Sequence, residues 1–401
     1  MNYESFLSAD SLALRPSEIR RFARLINDPS IISFAGGVPS SETFPSASLI
    51  SAADAAIRER AAVSLQYGPT PGLPELRAHV AMICRGREID CDAEAVMITT
   101  GSQQAIWLAG MTLLDPGDVA LVELPTYIGG LSAFYGRRVE LRGVVQDEDG
   151  IDPDDLRKRA TECRDAGKRV KILYTIPNFQ NPSGRLLASE RRRAILDVAE
   201  EFDFLIIEDD PYGELVYVEG CDTTPIRSLD RTGRVVYLGS FSKVLSPGLR
   251  CGWISAEPDL LRRFELAKEG IDLCSGMLDQ SIVLGFLDSG ELPDQISRVR
   301  DFYRRKRATL MDALTDGFAD LARWTDAKGG LFTFVTLCDD VDTSSMIGAA
   351  IERGVAYIPG GAFFVDGSGR NTMRLTFAKE TDERIRECAG RLAEVVRSCR
   401  P

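Results

Sequence analysis

Histidine is almost missing: in 401 residues there is one, His79. A Ser-His-Asp hydrolase would have to be built on it, and no Gly-x-Ser-x-Gly turn is present to carry the serine. Nine cysteines are an odd number with no Cys-x-x-Cys pair. This makes a zinc site or a disulfide framework improbable. His79 falls in the amphipathic stretch Pro74 to Cys84, where an ordinary packed or exposed side chain is the simpler role. Basic blocks are also scarce. The net charge is −12, and Arg191 to Arg193 reads as the solvated start of a helix. A binder of phosphate backbones needs a basic face, so nucleic acid is not expected as a partner. Apolar runs such as Val119 to Val122 and Phe204 to Ile207 are too short to span a membrane. The opening MNYESFLSAD has no apolar signal core, and the expectation is a cytoplasmic protein. With so little histidine, acid-base and electronic chemistry falls more readily to a cofactor.

What is present is an ordinary soluble composition, 44% hydrophobic and 27% charged, in a chain long enough for more than one core. Residues 1 to 45 read as an arm. SEIRRFARLI has helical spacing after Pro16 and Ser17, and Ser33 to Pro45 is a Gly- and Pro-rich loop. Gly36 and Gly37 there are either turn residues or backbone donors to a ligand. From residue 46 to about 290, strands alternate with helices: Val96 to Thr99, Val119 to Glu123, Val139 to Val145, Val170 to Ile176, Phe204 to Ile207 and Arg234 to Leu238. This alternation predicts an α/β domain with a mostly parallel sheet covered on both faces. Residues 291 to 401 change character, with a long charged helix from Asp294 and then mixed strands and helices. They predict a smaller α+β domain against which the arm packs.

The polar residues collect where these strands end. After Thr99 come Gly101, Ser102 and Gln103 at a helix start, an anion site or simply an N-cap. Asn181 lies in the turn-forming loop PNFQNPSG. Asp209 closes an apolar strand and Tyr212 follows three residues on, although Asp209 beside Asp210 could be a solvated turn. Lys243 follows the strand Arg234 to Leu238 in YLGSFSKVLSPGLR. Desolvation and nearby positive charge can turn such a lysine into a nucleophilic amine, and Ser240, Ser242 and Arg250 around it are donors suited to phosphate. Alone, the segment could be a surface loop with an exposed lysine. Together the strand ends offer an aldehyde-reactive amine, a carboxylate for a ring nitrogen and a phosphate cradle, which are the needs of pyridoxal 5'-phosphate. Open α/β sheets bind ligands at this edge.

Across nearly its whole length the chain resembles the fold-type I, class I/II pyridoxal-phosphate aminotransferases, in the branch containing 2-aminoadipate and kynurenine aminotransferases. The resemblance is carried in order by SEIR, FAGGVP, QYGPTPG, TTGSQQA, NFQNPSG, EDDPYGEL, SFSKVLSPGLR, YIPGGAFF and MRLTF. It implies that Lys243 is the Schiff-base lysine and that Asp209 pairs with the pyridine nitrogen. Tyr212 and Asn181 would bind the phenolic oxygen, with Tyr127 stacked on the ring. Ser102, Gln103, Ser240, Ser242 and Arg250 would hold the phosphate. Tyr67 would reach the phosphate of a neighbouring subunit, which implies a homodimer with shared active sites. Arg374 would bind the substrate α-carboxylate, a task a planar guanidinium fork suits, though a strand-face ion pair is its plainer role. Gly37 would approach the substrate by its backbone. Arg20 would meet the substrate side chain, with Arg15, Arg21 and Arg24 close by. The implied reaction moves the amino group of an amino acid to a 2-oxo acid such as 2-oxoglutarate. The same cofactor also serves β-lyases, decarboxylases and racemases. A regulatory ligand-binding protein with this domain would need a helix-turn-helix head of its own. Asp272 to Gln280 has no reading in these terms.

Overall fold

The computed structural model describes residues 1, 3–15, 28 and 30–399. The helical reading over Ile19 to Leu25 and the site residue Arg20 lie outside them.

Eight strands form the large sheet: β1 (Val96–Thr99), β2 (Val119–Leu124), β3 (Glu140–Asp147), β4 (Gly150–Ile151), β5 (Val170–Thr175), β6 (Leu205–Asp209), β7 (Val235–Ser240) and β8 (Gly252–Ser255). Their order is β1-β8-β7-β6-β5-β2-β3-β4. Neighbours from β7 across to β3 are parallel, while β8 runs antiparallel between β1 and β7, and the short β4 antiparallel to β3. Because side chains alternate across a sheet, each central strand feeds two apolar layers. Ala120, Val122, Ile172, Ile207 and Val236 enter one cluster. Val119, Leu121, Leu173, Ile206 and Val235 enter the other. Burial on both faces explains the continuous apolar runs in these strands and the α/β fold class expected from them.

Helices cover both layers. Four matter below: α1 (Ser102–Leu113), α2 (Pro258–Asp272), α3 (Leu292–Phe318) and α4 (Asp382–Cys399). After the arm the chain is helical over Ser46–Arg58 and again over Ala61–Ser64. The stretch that had no sequence reading, Asp272 to Gln280, runs from the last residue of α2 into the helix Met277–Asp288.

A second sheet follows, with strands β9 (Ala322–Trp324), β10 (Phe332–Leu337), β11 (Ile358–Pro359) and β12 (Thr372–Thr376) in the antiparallel order β9-β10-β12-β11. Beside it Ile32–Ser33 pairs in parallel with Val355–Ala356. The N-terminal loop is thereby held against the C-terminal part of the chain. Buried residues of α3 and α4, including Leu310, Leu314, Ile385 and Leu392, join the same cluster as one face of the large sheet. The cleft between the two sheets is thus backed by one shared core. Among the described residues, no helix is long and apolar enough to cross a membrane.

One expectation fails. Arg192 is not a solvated helix start: it is 0% exposed, donating to the Asn178 side chain and to the carbonyls of Leu187, Asp222 and Thr224. A guanidinium can be buried when most of its N–H groups find acceptors, and loop carbonyls distant in sequence supply them here.

Candidate active site

A cavity of about 270 Å³ opens at the carboxyl ends of β1, β5, β6 and β7. Its walls include Gly37, Ser102, Gln103, Tyr127, Asn181, Asp209, Tyr212, Ser240, Ser242, Lys243, Arg250 and Arg374. The structure therefore gathers these predicted residues at one place. Tyr67 is not among them and stands 80% exposed.

Asp209 ends β6 and is 2% exposed. Its Oδ2 accepts the Tyr174 hydroxyl at 2.8 Å, while Oδ1 is buried with no partner. A buried oxygen left unpaired normally costs free energy, so one facing a cavity calls for a donor from a ligand. Burial, with the Asp210 charge adding to it, pushes the Asp209 carboxyl up to about 7 against the opposing effect of the Tyr174 bond. Asp210 is also buried, in contact with Arg87 at 2.9 Å, Asn178 at 3.0 Å and the Tyr237 hydroxyl at 3.2 Å. The Asp209-Asp210 pair is no solvated turn.

Lys243 follows β7. Its Nζ donates to the Gly37 carbonyl at 3.2 Å. Burial and the cations Arg374 and Arg250 bring its ammonium down to about 8, with Asp209 pulling the other way. Near neutrality, an appreciable fraction is then free amine, which an exposed lysine would not provide.

The opposite rim is an anion cradle. Gly101 adopts φ +74°, and a Cβ there would lie 2.4 Å from Arg250 Nη2, so only glycine fits at this turn. Beyond it α1 opens with the free amides of its first turn. Ser240 Oγ takes the Ser242 amide at 3.1 Å, and Gln103 donates to the Gly129 carbonyl at 2.9 Å while accepting the Tyr127 hydroxyl at 3.3 Å.

Arg374 reaches the cavity from β12. It is 1% exposed, yet meets no carboxylate among the described residues. Its Nη1 donates to Asn181 Oδ1 at 3.0 Å and Nη2 to the Ala35 carbonyl at 2.7 Å, and Nε is buried and unpaired. The guanidinium lies 4.4 Å from the Phe332 ring centre and 5.3 Å from that of Phe363. Burial lowers its pKa to about 10. The strand-face ion pair is therefore not what this arginine makes.

Sequence reasoning missed Tyr174 and Glu123. Both sit in buried parallel strands, where a hydroxyl or carboxylate must find a partner, and that was the available signal. Glu123 accepts from Thr175 at 2.6 Å, Gln180 at 2.9 Å and the Ile176 amide at 3.2 Å. It thereby ties the loop carrying Asn181 to β2.

An unpaired buried carboxylate oxygen, a lysine with lowered pKa, an anion cradle and a buried arginine with no carboxylate partner among the described residues fit a pyridoxal-phosphate enzyme on an open α/β sheet. The comparisons with known proteins are narrower. The pattern of the family "Aminotransferase class I and II" matches residues 29–392. Aromatic-amino-acid aminotransferase 1 of Thermococcus litoralis is 41% identical over 398 residues, covering 99% of this chain and 95% of that one. The kynurenine aminotransferase of Pyrococcus horikoshii, solved with PMP, superposes with TM-score 0.95 at 38% identity, over 99% of this chain and 98% of that one. The α-aminoadipate aminotransferase of Thermus thermophilus, solved with N-(5'-phosphopyridoxyl)-L-leucine, gives 0.92 at 36% identity, over 100% and 99%. The chain belongs to the class I and II aminotransferases, and is a transaminase whose cofactor is pyridoxal 5'-phosphate.

Proposed function

We propose that this transaminase takes an L-amino acid of the aminoadipate, kynurenine, aromatic or branched type and passes its α-amino group to 2-oxoglutarate in a two-stage exchange. The single observation that carries the assignment of roles is the unpaired Asp209 Oδ1, set in the same cavity as Lys243 and Arg374. Asp209 would hold the pyridine nitrogen, Tyr212 and Asn181 the phenolic oxygen, and Tyr127 the ring face. Ser102, Gln103, Ser240, Ser242 and Arg250 would hold the phosphate. Bound there, the cofactor supplies an aldehyde for the amino group and a ring that withdraws electrons.

The chain's own residues do the rest. Arg374 binds the α-carboxylate, exchanging or sharing its bonds to Asn181 and Ala35, and so fixes which face the α-proton presents. Lys243, neutral over a useful fraction of molecules, removes and returns that proton through Nζ. Gly37 allows close approach because its missing side chain would press on Phe332 at 3.2 Å. The substrate side chain then extends past Val38, which lines the cavity. Arg20 is assigned to that end of the substrate. Two further parts belong to this reading: a homodimer in which Tyr67 completes the partner's phosphate site, and a cytoplasmic location. The chain is divided into an arm (1–45), a large domain (46–290) and a small domain (291–401).

The test is an amino-donor panel covering aminoadipate, kynurenine, aromatic and branched amino acids, run with and without 2-oxoglutarate. Glutamate and the matching 2-oxo acid should form together, and beyond a single turnover only when the acceptor is present. Continued product formation without the acceptor would point instead to a lyase, decarboxylase or racemase.

A further inference from the structure

We propose that Asp272, at the end of α2, is a positioning residue for the anion cradle, acting through Gln104 and Thr100 on the peptide that seats Arg250 and opens α1. This rests on the assignment of that cradle to the cofactor's phosphate. Asp272 does not line the cavity; its influence has to pass through other side chains.

The connections are continuous. Asp272 Oδ2 accepts Gln104 Nε2 at 2.7 Å and the Thr100 hydroxyl at 3.3 Å. Gln104 Oε1 in turn accepts the Thr100 backbone amide at 2.7 Å, and the Thr100 carbonyl accepts Arg250 Nη2 at 3.1 Å. Amide, carbonyl and hydroxyl of Thr100 are thus all committed, and the next two residues are Gly101 and Ser102. On its other oxygen Asp272 accepts Lys268 Nζ at 2.7 Å, and Lys268 is 0% exposed. A buried ammonium demands a counter-charge, so the carboxylate is held while its second oxygen aligns the turn.

An i,i+4 ion pair on one helix would by itself be a local matter. The bonds from Oδ2 to a different helix and to the β1-α1 turn are not local, and they suit an acceptor with no donor. Asparagine at 272 would set an N–H group against either the Gln104 amide or the Lys268 ammonium. Arg250 is held at φ +46°, a backbone conformation that needs support from its surroundings. Loosening the Thr100 carbonyl removes one of the two backbone acceptors of its guanidinium, the other being Pro247.

The experiment strips the full-length protein of cofactor and titrates it with pyridoxal 5'-phosphate and with phosphate-free pyridoxal, with inorganic phosphate as a competitor. Asp272→Asn should bind pyridoxal 5'-phosphate roughly tenfold or more weakly, the scale of other supporting residues, with pyridoxal affinity unchanged. Gln104→Leu should do the same, and the double variant should be no worse than the worse single, as members of one chain behave. With cofactor saturating, the donor KM should stay within about twofold. Should Asp272→Asn fail to fold with Lys268 unpaired, Lys268→Met/Asp272→Leu removes both charges and decides the matter by the same two titrations. Equal losses for both ligands, or no loss for either, overturn the inference. If the unaltered protein shows no preference for the phosphorylated ligand and no competition by phosphate, the cradle assignment itself falls, whatever the variants do.

Discussion

Arg374 and Asn181, 193 residues apart, meet in one 3.0 Å hydrogen bond between a strand of the small sheet and a loop of the large one. With the Ala35 carbonyl on the other side, the guanidinium is oriented without being neutralised. Its aromatic neighbours Phe332 and Phe363 hold the plane. A carboxylate entering the cavity meets a charge already desolvated and aimed, which saves the ordering that a flexible arginine would need.

Arg374→Ala should therefore raise the KM for every amino donor and lower kcat/KM by about 10²-fold or more, since bonds between charged groups contribute about 1.5–3 kcal/mol each. Arg374→Lys should recover only a small part, because an ammonium cannot reproduce the fork. Steady-state kinetics with two donors of different side chain check this. An unchanged KM would move the carboxylate site elsewhere.

Lys243→Ala should abolish turnover together with the visible absorbance of the lysine-linked cofactor. In the cofactor-free protein, Lys243 should react with an amine-directed reagent along a titration centred near 8. Arg374→Gln removes a repelling cation, so that midpoint should move upward, toward an ordinary lysine. Peptide mapping of the labelled protein as a function of pH measures both. A midpoint that stays put would mean that Arg374 is not felt at Nζ.

Asp209 carries a signature in stability. Burial raises its carboxyl to about 7, well above the ordinary carboxylate range, so the folded cofactor-free chain holds a proton that an unfolded aspartate would release. Its contribution is present below pH about 4 and is lost as pH rises through about 7. Asp209→Asn removes this term. The variant's melting temperature relative to the unaltered protein should therefore be higher at pH 8 than at pH 5. Glu123 and Glu208, also buried and raised to about 7, will still leave a slope in both proteins.

Tyr67 tests the proposed sharing of active sites between two subunits. Mixed subunits carrying Lys243→Ala and Tyr67→Ala should regain activity at limiting cofactor, because one of the two sites in the hybrid then has both side chains intact. If Tyr67 served its own subunit, or no site but its own surface, mixing would restore nothing.

Much of this was legible in the chain itself. Apolar runs such as VALVEL in β2 and LIIED in β6 announce buried parallel strands, since burial on both faces leaves no room for alternation. The strand-end residues Ser102, Asn181, Asp209 and Lys243 stand out because an open sheet presents its carboxyl edge to ligands. These are local signals, written within a few residues.

Tertiary structure decided what depends on distant segments meeting. Asp209 lines the cavity with one oxygen unpaired because Tyr174 bonds only the other, an arrangement set by tertiary packing and not by the local sequence. Arg192 resembles its neighbours Arg191 and Arg193 in sequence, and it becomes a core residue through Asn178, Leu187 and the returning loop at Asp222 and Thr224. The stretch from Asp272 acquires a meaning once α2 delivers its last carboxylate to the β1-α1 turn. Hydrophobic period and turn chemistry dictate the elements because they act over one or two turns of chain. Which polar atoms end up paired is set by the packing of elements tens to hundreds of residues apart, and no spacing in the sequence encodes it.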